Sequence, residues 1–304
     1  MKAILPVAGC GTRLRPHTEK THKTLLPVAG KTTLDHIVEP LLACGVNDIT
    51  FIIGHLGEQV IAHMKKHTGN FVYIKQKERL GLGHAVLHGL SDEDEPVLVQ
   101  LGDTIFDINP DTIMTPGKNI ISVGEVDEPS RFGIVELQGK RIIRFHEKVK
   151  DPPSNLAITG LYYFYSQRKL KQAIEQLISR DIRTKGEYQI TDAFSIMLEQ
   201  GELFEAYLMD EWYDTGVPDT YLETNRKLLK PVHDEYPGVT INEPVYIGKG
   251  CTIEHSVIGP FVTIMDNCTL IDCRVSDSIV LEGATLKRQQ FSHRIVAGDG
   301  SEYC

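Results

Sequence analysis

Lys2-Ala3-Ile4-Leu5-Pro6-Val7-Ala8-Gly9-Cys10-Gly11-Thr12-Arg13-Leu14 is the stretch that decides the fold class. Residues 2–8 (KAILPVA) form a short, nearly continuous apolar run, the pattern of a strand buried on both faces. Two glycines follow at once and turn the strand into a loop. Pro6 fits such a strand only where no ladder N–H is required. Downstream, Thr33 to Cys44 reads as a helix with Thr33 as N-cap and Gly45 as its stop, and Pro40 implies a kink. Strand 49–53, helix 57–68, strand 71–75, helix 82–90 and strand 97–101 follow. Short apolar runs alternating with helical patterns predict an α/β fold with a doubly wound, mostly parallel sheet. Such sheets bind ligands beyond the carboxyl ends of their strands, where Gly9–Arg13 and Asp103 fall.

From about 119 to 165 the pattern becomes strands without room for crossover helices, which predicts an antiparallel insertion covering the substrate side. Helices at about 167–179 and 189–200, a strand at 203–209 and a helix at 217–229 complete a first domain over 1–230. A linker is expected over 231–240, since KPVHDEYP (230–237) mixes charge with two prolines. In the remainder, 241–304, three windows superimpose: VYIGKGCTI (245–253), SVIGPFVTI (256–264) and SIVLEGATL (278–286). Aliphatics recur about every six residues, a period that suits short strands coiled around a triangular core. This resembles the hexapeptide-repeat left-handed β-helix, here two to three coils long. A small β-sandwich is the plainer alternative.

Composition narrows the function. The chain has 304 residues, 41% hydrophobic and 24% charged, with a formal charge of −9. That balance argues against nucleic acid or an anionic membrane as partner. Yet between Gly9 and Leu25 the charged residues are Arg13, Arg15, Lys20 and Lys23 against Glu19 alone, a focused anion site in an acidic protein. Six cysteines show no CxxC pair and no metal-ligand spacing. With no apolar run long enough for a membrane span and no signal-peptide pattern, a cytoplasmic protein with free thiols is expected.

Glycines at 9 and 11 let backbone N–H groups approach phosphate oxygens. Arg13 can grip a phosphate bidentately and Lys23 can add a point charge. A dinucleotide-binding loop fits poorly, because Leu14 replaces the third glycine and Ile53-Gly54-His55 ends the second strand without an acid. A Walker loop lacks its GK[ST]. Asp103 could serve equally as a turn residue.

AGCGTRL (8–14) followed by HKTLLPV (22–28) resembles the sugar nucleotidyltransferase signature, a GxGTRL loop paired with a PK-x-LLP segment. The resemblance continues in order through QKERLGLGHA (76–85), GDTIF (102–106), RFG (131–133), Glu147-Lys148, TGLY (159–162), GEYQITD (186–192) and WYDTG (212–216). It covers residues 1 to about 225. The start looks like the uridylyltransferase branch and the later motifs like the glucose-1-phosphate thymidylyltransferase branch. Three positions depart from the pattern: PVAG (6–9) stands where LAGG is usual, Thr24 stands where many thymidylyltransferases have Gln, and the proline of the EKP segment is displaced (EKVKDPP).

The resemblance implies a Rossmann-like nucleotidyltransferase domain that joins an NTP, dTTP or UTP, to a sugar-1-phosphate, glucose-1-phosphate foremost, releasing pyrophosphate. Ala8, Gly9, Gly11, Thr12 and Arg13 would cradle the nucleotide phosphates, with Asp103 beside them. Gln76 and Gly81 would read the base. Asp103 and Asp214 would bind Mg²⁺, which takes hard carboxylate oxygens. Lys23 would sit near the α-phosphate. Lys148 would hold the sugar phosphate, Glu147 would accept bonds from sugar hydroxyls, and Gly133 and Gly160 would allow close approach. For Glu147 and Lys148 a surface ion pair is the plain alternative, and Glu187 with Thr191 reads as a capping-type pair.

No covalent intermediate is needed, because the sugar phosphate oxygen is already a competent nucleophile. Alternatives are a mannose-1-phosphate guanylyltransferase-type specificity, a non-catalytic regulatory subunit of the same fold, and a hexapeptide acyltransferase. The last needs a catalytic histidine, and His255 and His293 read as solvent-facing turn residues. Homo-oligomerisation through the β-helix or the catalytic domain is expected.

Overall fold

The computed structural model describes residues 1–297, and beyond them only the backbone of a short strand at Glu302–Tyr303. The end of the expected 241–304 domain, with Cys304, lies outside the described residues. The chain packs as two compact units: Met1–Cys10 with Ile37–Trp212, and Gly11–His36 with Tyr213 onward. Among the described residues no helix is long and apolar enough to cross a membrane.

The first unit is built on one nine-stranded sheet. Its strands are β1 (Lys2–Val7), β2 (Asp48–Ile53), β3 (Asn70–Lys75), β4 (Val97–Gln100) and β5 (Asn119–Glu125). β6 (Gly133–Gln138), β7 (Arg141–Glu147), β8 (Leu156–Phe164) and β9 (Phe204–Leu208) complete it. In space they run β3-β2-β1-β4-β8-β5-β9-β7-β6. The first four are parallel, with Ile4 opposite Thr50 on one side and Val99 on the other. β1 therefore lies at the point where the strand order reverses, and both Ala8-Gly9 and Gly102-Asp103 leave the sheet there. That is the ligand-binding position of an open α/β sheet.

The strands of 119–165 pair antiparallel as expected, but within the main sheet: β8 is antiparallel to β4, β5 and β6, and β6 to β7, so they extend the same sheet, and β9 returns parallel to β5. Nine consecutive, mostly buried residues in β8 (LAITGLYYF) make it an interior strand and not the edge of an added layer. The core gathers around Phe194, whose ring lies 5.4 Å from those of Phe145, Tyr162 and Phe164 and 5.9 Å from Phe204. Helices α1 (Thr33–Ala43), α2 (Gly57–Met64), α3 (Leu82–Leu87), α4 (Gln167–Ser179) and α5 (Ile190–Glu199) fall where periodicity placed them, α2 and α3 ending a turn early. Pro40 is contained within α1.

In the second unit, short parallel strands stack at offsets of 17 residues (Val245↔Val262, Thr252↔Thr269) and then 16 (Val262↔Ser278, Thr269↔Thr285). The windows 245–253 and 256–264 are thus not stacked in the register in which they superimpose: the start of the first, Val245–Ile247, lies on the end of the second, Val262–Ile264, and the stacking repeat spans about three of the six-residue steps. Between the second and third windows, and into the third, the chain forms one seven-residue strand, Arg274–Val280, that bends at Asp277, where φ is 46°. Buried aliphatics (Ile247, Ile253, Ile258, Ile264, Leu270) fill the interior. Val232, in the expected linker, donates to Val245 O at 3.0 Å and accepts from Ile247 N at 2.7 Å. Helix α6 (Pro218–Leu228) lies against these strands. Its buried Asn225 Oδ1 accepts from Ala29 N at 2.9 Å and Thr263 Oγ1 at 2.7 Å.

Candidate functional site

In the second unit Gly11 has φ +61°, a left-handed conformation that costs glycine nothing. A Cβ there would stand 2.9 Å from both Lys23 Cβ and Thr18 Cγ2. The missing side chain is therefore what lets the glycine loop close on Lys23, while Thr18 Oγ1 donates to Gly11 O at 2.7 Å. Thr12 and Arg13 follow in a single 3₁₀ turn, Thr12–Leu14, pinned by buried Leu14, and both side chains are exposed. Lys23 starts a second such turn, Lys23–Leu25, capped by His22, whose ring accepts from Thr24 N at 3.3 Å. Thr24 itself is buried, with Oγ1 2.9 Å from His22 Nδ1, so it serves that turn.

Asp214 Oδ1 accepts from Gly216 N at 2.8 Å, and Oδ2 receives Thr220 Oγ1 at 3.4 Å. A Cβ on Gly216 would meet Asp214 Oδ1 at 2.8 Å and an Arg13 guanidinium nitrogen at 3.1 Å. Gly216 thus keeps a narrow space in which the WYDTG carboxylate and the loop arginine are neighbours. Asp103 belongs to the first unit and Asp214 to the second; each is a half-buried carboxylate, a donor type that suits a hard cation.

In the first unit Ala8 ends β1 against Gly54, where a Cβ would lie 2.5 Å from Ala8 O, and Gly9 is exposed. Gln76 directly follows β3 and is 7% exposed. Its amide Nε2 lies 3.2 Å from His84 Nδ1. Gly81 precedes α3 with φ +117°, and a Cβ on it would sit 2.6 Å from Tyr188 O. Tyr188 N donates to Leu80 O at 2.8 Å and Gly83 N to Tyr188 O at 2.9 Å, so the start of α3 is sewn to the segment leading into α5.

That segment also reaches Glu147, expected to bind the sugar phosphate together with Lys148. Thr191 Oγ1 donates to Glu147 Oε2, so Glu187 and Thr191 are not a capping pair; Gln189 is the N-cap residue of α5 and makes no side-chain cap bond. Glu147 Oε1 is 3.1 Å from Lys148 Nζ. With the Glu147 side chain 8% exposed and that of Lys148 34%, this is not the surface pair that the two adjacent charges alone suggest. Lys148 has φ 47° and its N–H donates to Phe132 O at 3.1 Å. Gly133 completes the group: a Cβ would be 3.0 Å from Glu147 Oε2 and 3.1 Å from Thr191 Cγ2. Gly160 lies at the irregularity of β8, between Ile158 and Tyr162. Burial pushes the Tyr162 phenol far up, and the Glu147 and Asp103 carboxylates add to it, so both carboxylates act on one buried ring.

Three neighbours carry no role in the sequence reading, Asp192, Tyr162 and His84, and Thr191 carries only the capping role. Asp192 has a buried Oδ2 without a hydrogen-bond partner. Burial raises its pKa against the bond from Thr184, with Glu147 raising it further. Each lies within a quoted motif, so motif membership was the available signal. The five described cysteines are all free, and His293, although exposed, bonds Asp277 at 2.9 Å and is not a bare turn residue.

Residues 2–231 match the Nucleotidyl transferase family. The bifunctional protein GlmU of Methanococcus maripaludis is 34% identical over 262 residues, which are 84% of this chain and 62% of that protein, so the chain spans under two thirds of that relative. A glucose-1-phosphate thymidylyltransferase of Streptomyces griseus is 29% identical over 322 residues, covering 94% of this chain and 88% of that one. Among solved structures, a Bacillus anthracis protein described as a glucose-1-phosphate thymidylyltransferase superposes with a TM-score of 0.63 at 27% identity, over 77% of this chain and 98% of its own. A UDP-glucose pyrophosphorylase bound to UDP-glucose gives the same TM-score at 25% identity, over 74% and 97%. By family match, sheet order and motif placement, the chain belongs to the sugar-1-phosphate nucleotidyltransferase family.

Proposed function

We propose that this chain transfers a nucleotidyl group from dTTP or UTP to glucose-1-phosphate, forming an NDP-sugar and pyrophosphate. The carrying observation is the buried Glu147 with Thr191 and Lys148 arranged on it beside Gly133. A buried carboxylate is costly unless it is paired. Here it fixes a half-exposed ammonium and leaves a glycine-wide approach, an arrangement that fits a phosphorylated sugar.

In this reading Lys148 binds the sugar phosphate and aims its oxygen in line at the α-phosphorus. The new P–O bond forms as the bond to the β-phosphate breaks. Arg13 takes the departing pyrophosphate, and Lys23, held against Gly11, offsets the charge that grows on the α-phosphate. Ala8, Gly9, Gly11 and Thr12 orient the phosphates through their backbone. Asp103 and Asp214 would hold Mg²⁺, which supplies charge neutralisation at the phosphates when bound. The stacked strands after residue 240 are proposed to be the coils of a left-handed β-helix used in homo-oligomer assembly, with catalysis assigned to residues 1–230.

The test is pyrophosphate release with Mg²⁺ over dTTP, UTP, GTP, CTP and ATP against glucose-, mannose- and N-acetylglucosamine-1-phosphate. Turnover of dTTP or UTP with glucose-1-phosphate, lost on chelation and restored by Mg²⁺, is expected. GTP with mannose-1-phosphate as the preferred pair would replace the substrate assignment, and silence from folded protein would leave a regulatory subunit. Asp103→Asn and Asp214→Asn should each lower turnover by about 10²–10³. Near-normal rates in both would remove the metal assignment.

A further inference from the structure

Gln76 is a buried amide with most of its hydrogen-bonding capacity unspent. Its Nε2 faces His84 Nδ1 at 3.2 Å, and among the described residues its carbonyl oxygen accepts no hydrogen bond. A neutral imidazole has one N–H and one lone pair. The amide nitrogen can rest on Nδ1 only if Nδ1 carries the lone pair, which places the ring proton on Nε2. The amide is then fixed with its oxygen turned away from His84.

The orientation decides what the amide can recognise. An outward oxygen accepts from an N–H. Uracil and thymine present an imide N–H between their two carbonyls, whereas cytosine has a bare ring nitrogen at that place. A protonated His84 would reverse the preference, because Nδ1–H demands the amide oxygen and leaves the NH₂ outward.

We propose that His84 is a positioning residue for base selection: its unprotonated Nδ1 holds the Gln76 amide nitrogen and so presents the Gln76 oxygen to the imide N–H of a pyrimidine-2,4-dione base. The proposal rests on the reading of Gln76 as the base-recognising amide. The surroundings suit it. Burial lowers the His84 pKa and His88, edge-on at 4.7 Å, lowers it further, while the Glu78 carboxylate and backbone pull weakly upward. No charged group on α4, α5 or β1, which pack on α3, acts on the ring. Together they hold the His84 pKa below its ordinary value, which favours the unprotonated ring that the contact with Gln76 requires.

The test is equilibrium binding of UTP and of CTP with Mg²⁺, by calorimetry between pH 5.5 and 8, which needs no turnover. The γ-phosphate titrates alike in both ligands and cancels in the affinity ratio. The wild type should favour UTP at pH 8 and lose that preference as the pH falls. His84→Phe, without the lone pair, should lower the UTP:CTP ratio at pH 8 by about five- to tenfold, the worth of one hydrogen bond. His84→Asn, whose Oδ1 can accept from Gln76 without titrating, should restore the ratio and flatten its pH profile. If His84→Phe keeps the wild-type ratio while Gln76→Ala loses it, Gln76 reads the base and His84 does not position it. If Gln76→Ala also keeps the ratio, or the wild type binds neither ligand, the base-recognising role of Gln76 fails and the proposal with it. A pH-independent wild-type ratio overturns the proposal without recourse to any variant.

Discussion

Glu147 and Lys148 are adjacent in the chain, and adjacency alone favours a solvated ion pair of little consequence. Burial changes that. A carboxylate 8% exposed, bonded by Thr191 and by a lysine in left-handed backbone, is held for a purpose other than surface charge. Lys148→Ala should therefore lower kcat/KM for the sugar phosphate by about 10²–10³ while leaving nucleotide affinity within a factor of two. Thr191→Val, nearly isosteric, should raise the KM for the sugar phosphate with a smaller loss in kcat, because it removes one donor from Glu147 and leaves the ammonium. Equal loss of nucleotide affinity in either variant, read by calorimetry, would mean that the group supports the whole unit. The identities of these residues were legible in the motifs, but their partnership was not. Thr191 lies 44 residues from Glu147, and only the placement of α5 beside β7 brings them into contact.

At the scale of elements, strands and helices were legible where the period was clean: the parallel strands β1 to β4 and the helices between them. The strands of 119–165 were found as strands, but their place in the sheet was not. Alternation tells which faces are buried and says nothing of the neighbouring strand. The repeat near the C-terminus had the same limit. A six-residue period was visible, while the stacking offset of 17 or 16 depends on left-handed corner residues such as Asn267 and Asp277, which no apolar pattern marks. Asn225 shows what such patterns overlook. It is 1% exposed inside α6, and its one oxygen joins the loop at Ala29 to the strand at Thr263. Asn225→Leu should destabilise the second unit by about 1–3 kcal/mol, since it strands a buried hydroxyl at Thr263 and a half-buried N–H at Ala29. A denaturant midpoint that does not move would show both donors satisfied by water.

Across the molecule the net charge of −9 conceals local order, because acids and bases are sorted into pairs with opposite demands on pH. In the second unit Arg226 makes a bidentate pair with Asp277, and His293 donates to the same carboxylate and approaches Asp219. Burial works to raise the Asp277 pKa, but the bonds from Arg226 and His293 outweigh it and hold the carboxyl below its ordinary value. The His293 pKa is raised, chiefly by its bond to Asp277, against its own partial desolvation. A carboxyl depressed in the folded state contributes stability above its unfolded value of 3.8, which is lost as pH falls through the lower folded value. A raised histidine contributes fully below 6.5, and the contribution is lost as pH rises through the higher folded value. The two overlap between about pH 4 and 6.5, so the melting temperature of this unit should peak inside that window and decline on both sides. Asp277→Asn removes the shared partner, so it should lower the melting temperature most within the window and flatten the curve. His293→Gln should abolish only the alkaline decline. Wild-type curves that keep rising from pH 6 to 8 would show that the network does not govern the pH response of this unit. Both variants leave Arg13, Lys23, Asp214 and Lys148 untouched, so turnover at 25 °C should stay near the wild-type value while thermal tolerance changes.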